Sequence, residues 1–161
     1  IYGGLQNTFK IHGLTVGVYF NYSIGGKIYN VSEQWMGNNS PSTNQYRYML
    51  KAWHPLRNPE SDIPRAYSGD GLASDRLVHD ATFLRLKNVS VSYTFDLRKA
   101  TGNVLKSITL GASADNRCLW KKYNGFDPEV SSESSNSALR RLDVGAYPKP
   151  RTIIFSLQLR Y

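Results

Sequence analysis

At 161 residues the chain has room for one domain, or for a minimal closed membrane barrel, since eight strands of roughly 9 to 11 residues with their turns need about 120 to 160. A composition of 40% hydrophobic and 12% aromatic residues, with 13 Gly, 11 Tyr and two Met, is that of a β-rich chain with many turns, and it excludes a helical bundle and a disordered tail. The net charge of +8 raises the question of an anionic partner, and the single Cys118 excludes an internal disulfide framework and any multi-cysteine zinc site.

No apolar run reaches the roughly 18 to 20 residues of a membrane helix, and Ile1-Tyr2-Gly3-Gly4 is neither an initiator Met nor a charged signal-peptide head. The chain is therefore expected to be a piece of something longer.

Five segments alternate apolar and polar residues with the period of a half-covered strand. The first, about 4–11, sets Leu5, Phe9 and Ile11 against Gln6, Thr8 and Lys10, with Asn7 out of pattern. After the short turn His12-Gly13, the second, about 14–23, sets Leu14, Val16, Val18, Phe20 and Tyr22 against Thr15, Gly17, Tyr19, Asn21 and Ser23, so the two read as a hairpin. The stretch 24–80 that follows is a long loop. Within it Tyr46, Met49, Leu50 and Trp53 fall at helical spacing, with Ser42 or Thr43 as N-cap, which predicts a short amphipathic helix ended by Pro55.

The third segment, about 83–95, sets Val89, Val91, Tyr93 and Phe95 against Asn88, Ser90, Ser92 and Thr94. A turn over Asp96 to Asn103 leads to the fourth, about 104–119, with Ile108, Leu110, Ala112 and Ala114 on one face. A second long loop, about 121–150, has a Ser-rich tip over Ser131 to Ser137. The fifth segment, about 152–161, carries Ile153, Phe155, Leu157, Leu159 and Tyr161 on one face, with Ile154 out of step.

Connections thus alternate short, long, short, long. A soluble sandwich has no reason to do this, whereas an outer-membrane barrel has short periplasmic turns and long extracellular loops. The polar face is rich in Ser, Thr, Gly and Asn, as a wet lumen would be, and Tyr22, Tyr93, Phe95 and Tyr161 stand at strand ends where aromatic girdles lie. The fold class expected is all-β, an antiparallel transmembrane β-barrel segment with two long extracellular loops containing short helix.

The charge supports this over a nucleic-acid groove. The loop 24–80 holds six basic and six acidic residues, and 121–151 holds six and four; the strands and the Asp96 to Asn103 turn hold eight basic against two acidic. No basic cluster with interleaved aromatics forms one surface, so no nucleic-acid partner is expected. Arg85 and Lys87 fall on the apolar parity of their strand. At the bilayer midplane each would cost roughly 2 to 4 kcal/mol, so both are expected at lipid-headgroup level as anchors to outer-membrane lipids.

The run Asp80-Ala81-Thr82-Phe83-Leu84-Arg85-Leu86-Lys87-Asn88-Val89-Ser90-Val91-Ser92-Tyr93-Thr94 adds more specific information. So do Lys122-Tyr123-Asn124-Gly125-Phe126-Asp127-Pro128-Glu129-Val130 and Tyr147-Pro148-Lys149-Pro150-Arg151-Thr152 before a terminal amphipathic strand. In this order they resemble the C-terminal end of SusC/RagA-type TonB-dependent outer-membrane transporters. Gly3-Gly4-Leu5-Gln6-Asn7-Thr8-Phe9, Phe20-Asn21-Tyr22-Ser23 and Asp62-Ile63-Pro64-Arg65 are similar to the same family. The resemblance implies the last five strands of a 22-stranded barrel, with the N-terminal plug and TonB-contacting segment absent from this chain. It implies a multi-pass protein of the bacterial outer membrane with a periplasmic C-terminus. Its partners would be the rest of the barrel and plug, a SusD-like lipoprotein and the TonB complex, and its cargo oligosaccharides or peptides taken up by Bacteroidetes-like bacteria.

The resemblance also implies that Ile153, Phe155, Leu157, Leu159 and Tyr161 form the C-terminal ladder read by the barrel-assembly machinery. Among loop aromatics, Trp35, Trp53 and Tyr123 are candidates to stack on a sugar or peptide, each also open to ordinary loop packing. No catalytic residue, metal site or cofactor is expected. His12, His54 and His79 are scattered, and Asp127 and Glu129 beside Pro128 suit ordering a turn better than paired acid and base work. The competing reading is a surface-attached all-β glycan-binding module.

Overall fold

The computed structural model describes residues 1–37, 44–65, 73–102, 104–130 and 141–161. The chain forms two compact units, one of Ile1–Gly26, Thr82–Lys122 and Pro148–Tyr161, the other of Lys27–Ala81 and Tyr123–Tyr147.

The first unit is one antiparallel sheet of five long strands, β1 (Tyr2–Ile11), β2 (Leu14–Ser23), β5 (Phe83–Asp96), β6 (Ser107–Lys121) and β8 (Thr152–Arg160), in the order β1-β2-β5-β6-β8. β1 and β2 are joined by a two-residue turn in which His12 and Gly13 both have positive φ (45° and 88°), the type I′ geometry whose twist matches that of the flanking strands. The Gly13 carbonyl accepts the Thr94 N–H at 2.9 Å, which ties the turn to β5.

The turn between β5 and β6 is closed by Thr101. Its Oγ1 lies 2.9 Å from the Leu97 carbonyl and 2.8 Å from that of Leu105, and accepts the Leu105 N–H at 3.1 Å. These bonds hold Leu105 in the turn, so β6 begins at Ser107 and not near 104 as the alternation suggested. Tyr161 lies beyond the end of β8.

Register sorts the side chains into two faces, because neighbours directly opposite point the same way. Val16, Val91, Ala112 and Phe155 share one row, and Leu14, Tyr93, Leu110 and Leu157 the next. Gly17, Ser90, Ser113 and Ile154 share a row on the opposite face, and Thr15, Ser92, Gly111 and Ser156 another.

One irregularity changes the expected parity. Tyr19 and Phe20 of β2 pair with Asn88 and Leu86, so Lys87 is an extra residue, and β6 places two residues, Asn116 and Arg117, across from it. Asn116 has a positive φ of 54°, and its side-chain amide donates to the Pro150 carbonyl at 3.0 Å. The bulge flips β5 beyond it. Leu84 and Leu86 therefore join the apolar face, and Arg85 turns to the face of Asn21 and Leu119, where it is 3% exposed with its guanidinium 5.9 Å from the Phe83 ring centre. The expectation that Arg85 stands at headgroup level is thereby corrected. Lys87 sits at the bulge, half-buried.

The second unit was legible in the sequence only as two loops. It contains a small sheet of β3 (Lys27–Asn30), β4 (Val78–Asp80) and β7 (Leu142–Asp143), in the order β4-β3-β7. β3 runs antiparallel to β4 and parallel to β7, with Tyr29 opposite Leu142 and Asn30 opposite Asp143. The core is Ile28, Ala81 and Tyr123, each 1% exposed, with Val130 packed against it.

The one α-helix among the described residues, α1 (Val31–Met36), was not anticipated. Its signal is Asn30 with Glu33 three residues on: the Asn30 side chain accepts the Glu33 N–H at 3.0 Å as N-cap. The helix expected around Tyr46 to Trp53 is instead a 3-10 helix over Arg47–Lys51, with Met49 N–H to the Tyr46 carbonyl and Ala52 N–H to that of Met49. The proposed caps Ser42 and Thr43 lie outside the described residues. The backbone N–H of Trp53 donates to the Ile63 carbonyl at 2.8 Å and so leaves the helical pattern.

Candidate membrane face and loop cluster

On the sheet the candidate site is a whole face. From the turn end to the loop end, β5 contributes Phe95, Tyr93, Val91, Val89, Leu86 and Leu84 in successive rows, joined by residues such as Ile108, Leu110, Phe155, Val18, Phe20 and Trp120. With the bulged Lys87 left out, ten residue steps of about 3.3 Å span roughly 33 Å along the strand, and a tilt of about 40° gives an apolar band about 25 Å tall, the height of a membrane barrel's band. The band is uncovered: Phe155 is 81% exposed, Leu157 63% and Phe9 58%. An apolar surface of five strands in water would be a large liability. Tyr22 and Trp120 mark one end of the band, Tyr93 and Phe95 the other, the latter two rings in edge contact at 4.6 Å.

The polar face carries hydrogen bonds of its own, Asn88 Nδ2 to Asp115 Oδ1 at 2.7 Å and the Thr94 and Thr109 hydroxyls at 2.9 Å. Among the described residues β1 and β8 each pair with a single neighbour, so each presents one row of backbone groups with no described strand beside it.

In the loop unit, polar side chains gather around the small sheet. The Glu33 carboxylate lies 2.6 Å from His79 Nε2 and accepts the Tyr48 hydroxyl at 3.3 Å. The Tyr46 and Tyr48 rings stack at 5.5 Å, and the His79 ring lies 5.7 Å from that of Tyr123. Tyr123 donates its hydroxyl to Asp143 Oδ2 at 2.6 Å, while Asp143 Oδ1 accepts the N–H groups of Gly145 and Ala146 at 3.0 and 3.2 Å. Position 125 must be glycine, since a Cβ there would fall inside the contact distance of the Tyr123 ring.

These contacts raise two phenol pKa values. Burial, then the Glu33 charge and hydrogen bond, push Tyr48 up from 10.0 to about 12; burial, then the hydrogen bond and charge of Asp143, push Tyr123 well above its ordinary range. A phenol raised on folding stabilises the fold below its unfolded pKa near 10, and that contribution is lost as pH rises through the folded value. In alkaline titration of the intact protein, the difference in tyrosinate absorbance between wild type and Tyr48→Phe is expected to have its midpoint near 12. A midpoint near 10 would contradict the contact with Glu33.

The site residues expected from sequence fare differently. Tyr123, a stacking candidate, is a core residue and offers no ring to a ligand, because Asp143 and the Ile28 cluster enclose it. Trp35 on α1 and Trp53 after the 3-10 helix are 52% and 39% exposed. Asp127 is buried and accepts the Glu129 N–H at 2.9 Å, ordering the turn between them. His12 lies in the hairpin turn, and His54 Nδ1 accepts the Leu56 N–H at 3.1 Å. Glu33, His79, Tyr48 and Asp143 were missed, since residues that meet across 46 or 20 positions leave no local pattern.

No family model matches the chain. TonB-dependent receptor P3 of Formosa agariphila is 28% identical over 98% of the chain, and TonB-dependent receptor SusC of Bacteroides thetaiotaomicron is 31% identical over 58% of it. The solved structure of the RagAB peptide importer in its closed-closed state superposes over 98% of the chain with a TM-score of 0.81 and 27% identity. In sequence and fold the chain matches a segment of SusC/RagA-type TonB-dependent transporters. It spans 16% of the length of the Formosa receptor, 9% of SusC and 17% of the RagAB chain. The uncovered apolar band thus lies on an all-β antiparallel sheet that matches a TonB-dependent receptor fragment.

Proposed function

We propose that this segment is a wall of an outer-membrane barrel that imports oligosaccharides or peptides by TonB-driven active transport, working with a SusD-like surface lipoprotein. The observation that carries the reading is the two-faced sheet: an uncovered apolar face across five strands and a polar face behind it. Lipid is the environment that makes such a face favourable, and a polar lumen accounts for the other. The free edges of β1 and β8 then pair with further strands of the same barrel, in a closed ring of 22, because unpaired backbone groups in lipid cost several kcal/mol each. The loop unit faces the outside, where it meets cargo and lipoprotein, and no catalytic step is assigned to it.

The likeness to the RagAB peptide importer supports peptides among the two cargo classes. In cells expressing the full-length transporter, labelled oligosaccharides and peptides screened as pools are expected to yield a class that accumulates only with the gene intact and whose accumulation collapses with a protonophore. Uptake indifferent to the protonophore would overturn TonB-driven import. A full-length protein recovered from the soluble fraction would instead favour the surface glycan-binding module.

A further inference from the structure

We infer that Lys87 and Arg117 form an anion-binding pair on the polar face of the sheet, where they select cargo that carries a carboxylate. The inference rests on the import reading above and adds to it a specificity site.

Register and alternation place the pair. Leu86 and Cys118 share an apolar row, so Arg117, one residue before Cys118, falls on the opposite face with Leu119. On β5 the extra residue sets Lys87 and Asn88 together across from Tyr19, while Leu86 keeps its own partner Phe20. Two bulged residues that oppose one partner lie on its face, so Lys87 stands with Asn88 on the polar side. Asn116 and Arg117 of β6 lie across from it. The bulge thus sets two cations opposite each other, between the Asn88 row and the loop end of the strands. The headgroup role expected for Lys87 lapses together with that of Arg85.

Among the described residues neither side chain has a hydrogen bond or an ion pair. The carboxylate of the neighbouring row, Asp115, is engaged by Asn88 Nδ2 at 2.7 Å. Arg85, two residues from Lys87 on the same face, adds a third positive charge. Arg117 is exposed and Lys87 half-buried, so a ligand reaches both from the polar side.

Like charges directly opposite on one face weaken the pairing of their strands, and an arriving anion turns that repulsion into attraction. A neutral sugar or amide would leave both charges without a counter-ion, and a metal cation would be repelled. The apolar band lies on the other face, so in the import reading the anion that meets the pair arrives through the lumen. Two apolar rows, those of Leu84 and Leu86, separate the pair from the loop end, where cargo enters in that reading. A carboxylate offers two oxygens to the fork of the Arg117 guanidinium and a point contact to the Lys87 ammonium. Acidic peptides and uronic-acid oligosaccharides both carry that group.

The test measures uptake by cells expressing the full-length transporter, with two matched pairs of labelled probes. One is a peptide pool containing Asp and Glu against the same pool with Asn and Gln, the other a uronate-containing oligosaccharide pool against its neutral counterpart. The ratio of carboxylated to neutral uptake is read within each pair. Wild type is expected to favour the carboxylated member in the arm that it transports, which names the source of the anion. Lys87→Gln with Arg117→Gln should lower that ratio about tenfold, the lower end of what hydrogen bonds to a charged group supply. Arg117→Gln alone should lower it part of the way, Glu at both positions should bring it below one, and Lys99→Gln, in the turn at the opposite end of the strands, should leave it at the wild-type value. Because the Gln variants relieve a repulsion, they should reach the outer membrane in wild-type amounts and unfold no earlier on heating. A ratio near one in wild type, an equal ratio in wild type and the double variant, or earlier unfolding of the Gln variants would overturn the pair as a cargo site and leave import standing. Absence of gene-dependent accumulation of every probe would overturn both.

Discussion

Phe155→Arg in the full-length transporter is expected to reduce the amount of folded barrel in the outer membrane several-fold, while Ser156→Arg, one residue on, leaves it near wild type. Phe155 shares a row with Ala112, Val91 and Val16 near mid-height of the apolar band and is 81% exposed there. An arginine at that depth costs roughly 2 to 4 kcal/mol against lipid, a large part of a typical folding free energy of about 5 to 15 kcal/mol. Ser156 lies in a row with Gly111 and Ser92 on the polar face, which in the proposed barrel lines a wet lumen that would hydrate the guanidinium. Outer-membrane fractions probed by heat-modifiable mobility read the comparison directly. Equal loss from both substitutions, or from neither, would mean that the band does not face lipid.

The second large effect is expected in the loop unit. Asp143→Ala removes the acceptor of the Tyr123 hydroxyl and of the Gly145 and Ala146 N–H groups together. Tyr123 is 1% exposed, so its donor is stranded without water, at about 1 to 3 kcal/mol, and the turn after β7 loses its tie. Tyr123→Ala should cost more, about 3 to 5 kcal/mol, because a buried aromatic leaves a cavity against Ile28 and Ala81. Tyr123→Phe should cost least, since Asp143 keeps two backbone donors. Limited proteolysis of the full-length transporter tracks local opening, and 1 to 2 kcal/mol corresponds to about a 5- to 30-fold faster cut within the loops. The expected order is Ala at 123, then Ala at 143, then Phe at 123. A Phe variant cut as fast as the Ala variant would show that the hydroxyl, and not packing, holds the unit.

What the sequence disclosed follows from the range of each force. Alternation acts between residues two apart, so Leu14 to Tyr22 and Ile153 to Leu159 announced their strands and their apolar face. A bulge is written in a single residue with nothing unusual about it: Lys87 carries no mark that it is unpaired, and only the register with β2 and β6 reveals that Arg85 has changed sides. The Asn30 and Glu33 cap was readable but lay inside a stretch with no alternation to draw attention to it. Tyr123 had the composition of a ligand platform, and only the arrival of Asp143 and Ile28 from distant positions made it core. The KYNGFDPEV run spoke for family; its physics is a buried phenol, a glycine that clears the ring and an aspartate that ties a turn.

The parallel pairing of β3 with β7 joins a strand near residue 29 to one near residue 142. Contacts so distant in the chain form slowly and late. As the chain folds, β3 and β4 can meet across about fifty residues, whereas the core around Ile28 needs Tyr123 and the sheet needs Leu142. Only eight residues separate Asp143 from Thr152, so the loops finish their own architecture within moments of the strand that follows. The small sheet of the loop unit and the β6–β8 pairing thus depend on nearly the same stretch of chain, and a chain cut before Leu142 lacks both.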